Sequence, residues 1–261
     1  MKKLKRYQYE RYAVLCSLAY QKVFKQTRYG FAPNGQRVIA NRFGKTMMRV
    51  LWSNDSDEVI VVIKGSHNIA DWLLNLRIWQ VRGLKHLDYP FHAGYAYQLQ
   101  QNSPAIHKKD EYHSSVYQRL ISILTPLILQ GKRVSFTGHS CGGAIGTVLA
   151  DAIERQFPKS IKRVVTFGQP AIGGKAFRNC YLLHHRTYRI CCDLDIVTFL
   201  PPIPYFYQHV GKMLWLYNGR IYENTPTVLR LVQSLGSWLL RPFSYHLMRK
   251  YIRNKDFFDE R

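Results

Sequence analysis

The sequence predicts an α/β fold: a mostly parallel central sheet flanked by helices, in a single domain. Three observations point there. Runs of β-branched and aromatic residues recur at 134–137, 164–167 and 187–192, each closing on Gly, Pro or Asp, as buried strands of parallel sheets do. The first of these passes straight into the small residues Cys141-Gly142-Gly143-Ala144, a strand–turn–helix order. The chain has 261 residues, of which 46% are hydrophobic and 14% aromatic. That suits one α/β domain with a large core and excludes a disordered chain.

The strand at 134–137 leads into Gly138-His139-Ser140-Cys141-Gly142. This is the G-x-S-x-G pattern, in which a serine stands on a strained turn clear of the sheet. Glycines two residues to either side remove Cβ atoms that would clash there. The helix that follows brings backbone N–H groups and a positive dipole end to the same place. The pattern alone also fits a structural Gly/Ser turn. The flanking strand and small-residue helix make Ser140 the candidate nucleophile.

A serine nucleophile on such a fold is followed in the chain by an acid and then a histidine. The next strand is Val164-Val165-Thr166-Phe167, closing in Gly168-Gln169-Pro170, and the one after is Thr187 to Cys192. Asp193 and Asp195 stand just past its carboxyl end, where open α/β sheets keep their active groups. Spacing does not choose between them, and either also reads as a turn-capping aspartate. Beyond Asp195 the histidines are His209 and His246. His209 follows the stiff run Pro201-Pro202-Ile203-Pro204, which carries it away from the acid. Earlier in the chain, Ile69, Trp72, Leu73 and Leu76 fall at i, i+3, i+4 and i+7 and share one helical face. Such a stripe ordinarily faces a core.

Taken together these segments resemble the class 3, fungal-type triacylglycerol lipases, a branch of the α/β-hydrolases. The family's Gly-His-Ser-Leu-Gly-Gly is present with Cys141 in the leucine place. Its Thr-Phe-Gly-x-Pro strand is Thr166 to Pro170, and its Asp-Ile-Val-Pro-x-Leu-Pro-Pro segment is Asp195 to Pro202. Its strand ending in Arg-Gly-Thr or Arg-Gly-Ser is similar to Val61-Val62-Ile63-Lys64-Gly65-Ser66, with Lys64 in the arginine place. Its opening Ala-Tyr helix is similar to Ala13 to Tyr20. The resemblance runs from about residue 10 to about residue 250 with the motifs in order. It implies Asp195 as the acid and His246, near the C-terminus with a Tyr about a turn later, as the base. It implies an oxyanion hole from the backbone of Cys141 and from Ser66, and a lid over the acyl pocket carrying Ile69, Trp72, Leu73 and Leu76. Tyr245 departs from the Asp that often precedes the family's histidine.

The implied activity is hydrolysis of lipid carboxylic esters by a Ser140–Asp195–His246 triad, with no metal and no organic cofactor. A phospholipase A1 or small-ester esterase would use the same triad. A catalytically silent hydrolase fold that binds anionic membranes is the alternative from another class. His184-His185 has no second ligand pair at metal-site spacing. The net charge of +22, from 38 Lys and Arg against 16 acids, serves either solubility or attraction to an anionic surface. No nucleic-acid motif accompanies it, so anionic phospholipid is the expected partner beside the lipid ester. The segment 228–241 carries apolar residues at 228, 231, 232, 235, 238 and 239 on one face. That pattern fits an interfacial helix or one packed on the sheet.

Five cysteines without framework spacing read as free thiols. The basic start Met1-Lys2-Lys3-Leu4-Lys5-Arg6 lacks the apolar core of a signal peptide, and no apolar run reaches spanning length. The expected location is therefore cytoplasmic or non-classically exported. One domain is expected over residues 1–253, with a charged tail at 254–261; the oligomeric state is open.

Overall fold

The computed structural model describes residues 4–21, 35–65, 79–84, 86–106, 114–203, 205–238 and 244–258. In chain order, helix α1 (Arg6–Leu18) precedes strands β1 (Gly35–Ala40), β2 (Thr46–Trp52) and β3 (Glu58–Ile63). A short ribbon, β4 (Gln80–Val81) with β5 (Phe91–His92), leads to α2 (Ala93–Gln100) and α3 (Val116–Leu129). Then come β6 (Arg133–His139), α4 (Cys141–Gln156), β7 (Ile161–Phe167), α5 (Lys175–Cys180) and β8 (Thr187–Cys192). The chain continues with β9 (Lys212–Tyr217), β10 (Arg220–Glu223), α6 (Thr227–Trp238) and α7 (Met248–Arg253).

Eight strands form one sheet in the order β1-β2-β3-β6-β7-β8-β9-β10. The central five, β3, β6, β7, β8 and β9, run parallel. Antiparallel strands finish both edges, β1 and β2 on one side and β10 on the other. The expected strands at 61–63, 134–137, 164–167 and 187–192 lie within β3, β6, β7 and β8, which are neighbours in the sheet.

The sheet divides two apolar layers. Along β3, Glu-Val-Ile-Val-Val-Ile, every residue is buried. Val59, Val61 and Ile63 enter the layer shared with α2, α3 and α4, while Ile60 and Val62 enter the layer shared with α1 and α7. This period of two, covered on both faces, explains why the strand reads as continuous apolar sequence. Toward the C-terminal end, Phe258 is buried and stacks on Tyr9 with ring centroids 4.3 Å apart, and Arg6 pairs with Asp256. No helix among the described residues is long and apolar enough to cross a membrane. All five cysteines are free.

Candidate active site

Ser140 is the single residue between β6 and α4, with φ 58° and ψ −134°. That conformation is costly for a residue with a side chain and is kept only where the surroundings fix it. Its N–H donates to the Phe167 carbonyl at 2.9 Å, and its carbonyl accepts from the Gly143 N–H at 3.0 Å. Serine at a helix N-cap ordinarily uses its hydroxyl to accept a backbone N–H; here the hydroxyl makes no capping bond. The two motif glycines have a definite steric job. A Cβ at Gly138 would fall 2.5 Å from the Gly142 backbone, and one at Gly142 would fall 2.5 Å from the Ile63 carbonyl oxygen. Without side chains, α4 seats against the carboxyl ends of β6 and β3, with the chemistry at the sheet's carboxyl edge.

Asp195 follows β8 and opens the tight turn Ile196–Phe199, where its Oδ1 accepts the Val197 N–H at 3.0 Å. His246 lies in the turn Ser244–His246. Both side chains are fully buried, and His246 Nδ1 stands 2.9 Å from each oxygen of Asp195. The Tyr251 hydroxyl, from α7, donates to Asp195 Oδ2. Burial pushes the Asp195 carboxyl upward; the facing His246 and the hydroxyl of Tyr251 outweigh it and hold the carboxyl below its ordinary range. An ionised carboxylate only accepts, so the ring nitrogen that donates to it is His246 Nδ1, and the other ring nitrogen is Nε2. That Nε2 is buried and has no hydrogen-bond partner. Gly168, at φ 58°, makes room for the pair: a Cβ there would lie 2.6 Å from Asp195 Oδ2 and 2.8 Å from His246 Cε1.

Ser140 is joined to this pair from both sides. Phe167, whose carbonyl takes its N–H, precedes Gly168. On the other side the His139 ring lies over the His246 ring, centroids 4.3 Å apart, and its Nε2 is 2.7 Å from the His246 carbonyl. Burial and the neighbouring His246 lower the His139 pKa to about 3, so it is neutral near pH 7. Since a carbonyl only accepts, His139 Nε2 carries the proton. Its Nδ1 then accepts from the Tyr20 hydroxyl, 2.9 Å away.

For an oxyanion, Cys141 is the first residue of the 16-residue helix α4, so its backbone N–H lies in the first turn at the positive end of the dipole. Gly65, after β3, is alongside: a Cβ on it would meet Ser140 Cβ at 3.2 Å and the His139 carbonyl oxygen at 2.5 Å. Ser66 and the stripe Ile69, Trp72, Leu73 and Leu76 fall outside the described residues.

The other candidates are elsewhere. Asp193, at φ 44°, gives its carbonyl to Trp215 Nε1 at 2.7 Å and belongs to a turn. His209 bonds to the Thr198 carbonyl at 2.9 Å, so it braces the turn after Asp195 without meeting the acid. His184 and His185 are exposed in the turn His184–Arg186. Among the described residues no three His, Cys, Asp or Glu gather as a metal site. Sequence reasoning did not assign bracing roles to Tyr20, His139, Gly168 and Tyr251. Each stands in a segment that carries the family resemblance, Tyr20 at the end of the Ala-Tyr helix, His139 before Ser140, Gly168 in Thr-Phe-Gly-x-Pro and Tyr251 a turn after His246, but no spacing shows what it touches.

A family model for lipase (class 3) matches residues 60–205. Among curated proteins, the chain is 29% identical over 189 residues to a lipase of Rhizomucor miehei, covering 69% of this chain and 46% of that protein. It is 30% identical over 115 residues to a secreted mono- and diacylglycerol lipase, MDL3, of Malassezia globosa, covering 40% of this chain and 38% of that protein. Each match spans less than half of the relative's length. Among solved structures, an MDLA variant of Penicillium cyclopium superposes with a TM-score of 0.69 at 18% identity, over 95% of this chain and 96% of that one. That likeness concerns the fold, which is the α/β-hydrolase fold. With the family model spanning more than half of the sequence and containing both Ser140 and Asp195, the chain belongs to the class 3 lipase family.

Proposed function

We propose that this protein hydrolyses the carboxylic esters of lipids through an acyl-enzyme formed on Ser140. The observation that carries the reading is the buried Asp195–His246 pair, with an unoccupied Nε2, packed against His139, the residue that precedes Ser140 on its strained turn. Ser140 Oγ attacks the ester carbonyl carbon while His246 Nε2 takes the hydroxyl proton. Asp195 keeps the imidazole in the productive tautomer and faces the imidazolium as it forms. The negative charge on the carbonyl oxygen is met by the Cys141 N–H and, on family grounds, by Ser66. Collapse breaks the ester C–O bond, and His246 returns its proton to the leaving alkoxide. Water then attacks the acyl-serine by the same route, releasing the fatty acid and restoring Ser140.

The substrate class follows the family and the named relatives, which are lipases. The names of secreted relatives favour an extracellular site of action over the cytoplasmic one. Peripheral contact with anionic membrane belongs to the same reading, since a chain of +22 net charge is drawn to such a surface.

The test is fluorophosphonate labelling with hydrolysis of a short p-nitrophenyl ester. Ser140→Ala should abolish labelling and cost on the order of 10⁴-fold in rate, and His246→Ala should lose about as much, because triad members act as a unit. His209→Ala should keep labelling and lose mainly stability. A folded Ser140→Ala protein with full activity sinks the reading; an active His246→Ala beside a dead, folded His209→Ala exchanges the histidines.

A further inference from the structure

The sheet reaches further than the helix laid across it. Helix α1 packs over β3 and β6, well inside the sheet, whereas β10 is an edge strand. Residues directly opposite in an antiparallel pair share a face. Leu216 faces Ile221 and Leu214 faces Glu223, and both leucines belong to the α1 layer. Between this edge of the sheet, the start of α1 and the aromatic pair Phe257 and Phe258 lies a cavity of about 450 Å³. None of its walls belongs to the turn at Ser140, to Asp195 or to His246. Tyr188 and Lys212, which line it, stand at the amino ends of β8 and β9, while Ser140 and Asp195 follow the carboxyl ends of β6 and β8.

The lining is divided by chemistry. Leu4, Leu214 and Phe258 are buried and Ile221 and Phe257 partly so, which gives the cavity an apolar wall. Lys5, Lys212 and Arg220 stand around it with one acid, Glu223. Lys212 pairs with Glu223. Among the described residues Lys5 and Arg220 make no ion pair, so two positive charges at the cavity are uncompensated. Apolar walls with a few polar groups around several hundred Å³ are the ordinary form of a small-molecule site. The pairing of cation and apolar wall selects a molecule with one anionic end and a hydrocarbon body. A neutral chain would leave the cations unused, and a small anion would leave the apolar wall in water.

We propose that this cavity binds a long-chain carboxylate, the fatty acid released by hydrolysis, at a site separate from the one where the ester is cleaved. Arg220 and Lys5 meet the carboxylate, and the chain lies along Leu214, Ile221, Phe257 and Phe258. The choice of occupant rests on the lipid-ester reading above, because that reaction yields such a molecule; the cavity and its charges do not depend on it.

The experiment is calorimetric titration of dodecanoate, below its micelle concentration, into the Ser140→Ala protein. That background reads binding apart from turnover, so failure of the hydrolase reading leaves this measurement intact. Dodecanoate should bind, and dodecanol and acetate, each lacking one half of the molecule, should bind weaker on the order of tenfold or more. Lys5→Gln with Arg220→Gln, both on exposed side chains, should weaken dodecanoate on the order of tenfold, with circular dichroism unchanged. Glu223→Gln, which removes the one acid and frees Lys212, should tighten it. Ile221→Trp, which fills the cavity, should abolish this binding with all the charges kept. Lys175→Gln with Arg178→Gln removes the same charge from exposed positions on α5 and should leave the affinity as it was. Affinity and stoichiometry that are unchanged in the Lys5/Arg220 variant and in Ile221→Trp overturn the proposal, since they place the fatty acid elsewhere. An equal loss in the α5 variant overturns it too, by making net charge the cause, as does dodecanol bound as tightly as dodecanoate.

Discussion

Gly168 shows how much one backbone position decides. It ends β7 at φ 58°, and the space its missing side chain leaves is filled by Asp195 Oδ2 and the edge of the His246 ring. Gly44 is a natural comparison, also left-handed at φ 73° but with nothing within 4 Å of a built Cβ. Gly44→Ala should therefore cost only the conformational term, about 1 kcal/mol, with kcat unchanged. Gly168→Ala meets the same term and must also push the acid and base apart. A displacement near 1 Å at a reacting group costs about a hundredfold, so kcat should fall by at least that factor while the protein remains folded. Urea unfolding and p-nitrophenyl ester kinetics on the two variants separate the effects. Equal kcat in both would show that the Asp195–His246 pair has slack, contrary to its close packing.

At the scale of elements, what the sequence makes legible is whatever is written locally. The strand at β6 and the glycines around Ser140 carry their own turn chemistry, so the elbow can be located by inspection, whereas the choice of Asp195 over Asp193 rests on the resemblance of the run Asp195 to Pro202 to the family's segment. The antiparallel edge strands cannot. Strand β2 is buried in the pattern i-B-B-i-B-B-i, with B buried and i intermediate, which is not the alternation that marks a half-exposed strand. The pairing of Asp195 with His246 crosses 51 residues, and its brace from Tyr251 comes from another helix; neither leaves a spacing to read. Helix α6 misleads in a specific way. Its apolar periodicity is compatible with packing on the sheet, and only the positions of Phe199 and Trp215, whose rings lie 4.5 Å and 5.6 Å from the buried Arg230 guanidinium, show that the arginine is the residue drawn inward. Its Nη2 donates to Thr198 Oγ1 at 2.7 Å, and that hydroxyl bonds the Asp195 carbonyl at 2.8 Å. Arg230→Ala should consequently loosen the Thr198 turn as well as the helix. The loss of a cation–π contact and a charge-assisted hydrogen bond predicts about 2–3 kcal/mol less stability, with kcat down severalfold through Asp195. Unchanged urea midpoint and kcat would mean that Arg230 rests on the surface of the turn without holding it.

Over the whole molecule, imidazoles that are neutral in the fold set its tolerance of acid. Burial lowers the His139 pKa to about 3, with His246 adding to the effect, and lowers that of His92 to about 4. His209 is also held well below its ordinary value, by burial and then by Arg189. Each is fastened as a neutral ring: His139 between Tyr20 and the His246 carbonyl, His92 by the Gly94 N–H at 3.0 Å, His209 on the Thr198 carbonyl. In the unfolded chain a histidine takes its proton near pH 6.5. Between that pH and the folded values the unfolded state binds more protons, so stability must fall as pH falls. The stability these groups contribute is present in full above pH 6.5. The slope is about 1.4 kcal/mol per pH unit for each histidine, so His139 and His92 together should remove about 3–4 kcal/mol between pH 7 and pH 5. Asp195, held below its ordinary range, adds its own loss only at lower pH, as its carboxylate is protonated. Urea midpoints across that interval measure the effect directly, and His92→Gln, which removes one of the titrating rings, should flatten the dependence by about one proton. A midpoint that does not move between pH 7 and pH 5 would mean that these histidines are protonated in the folded protein, and the tautomer deduced for His139 would go with them.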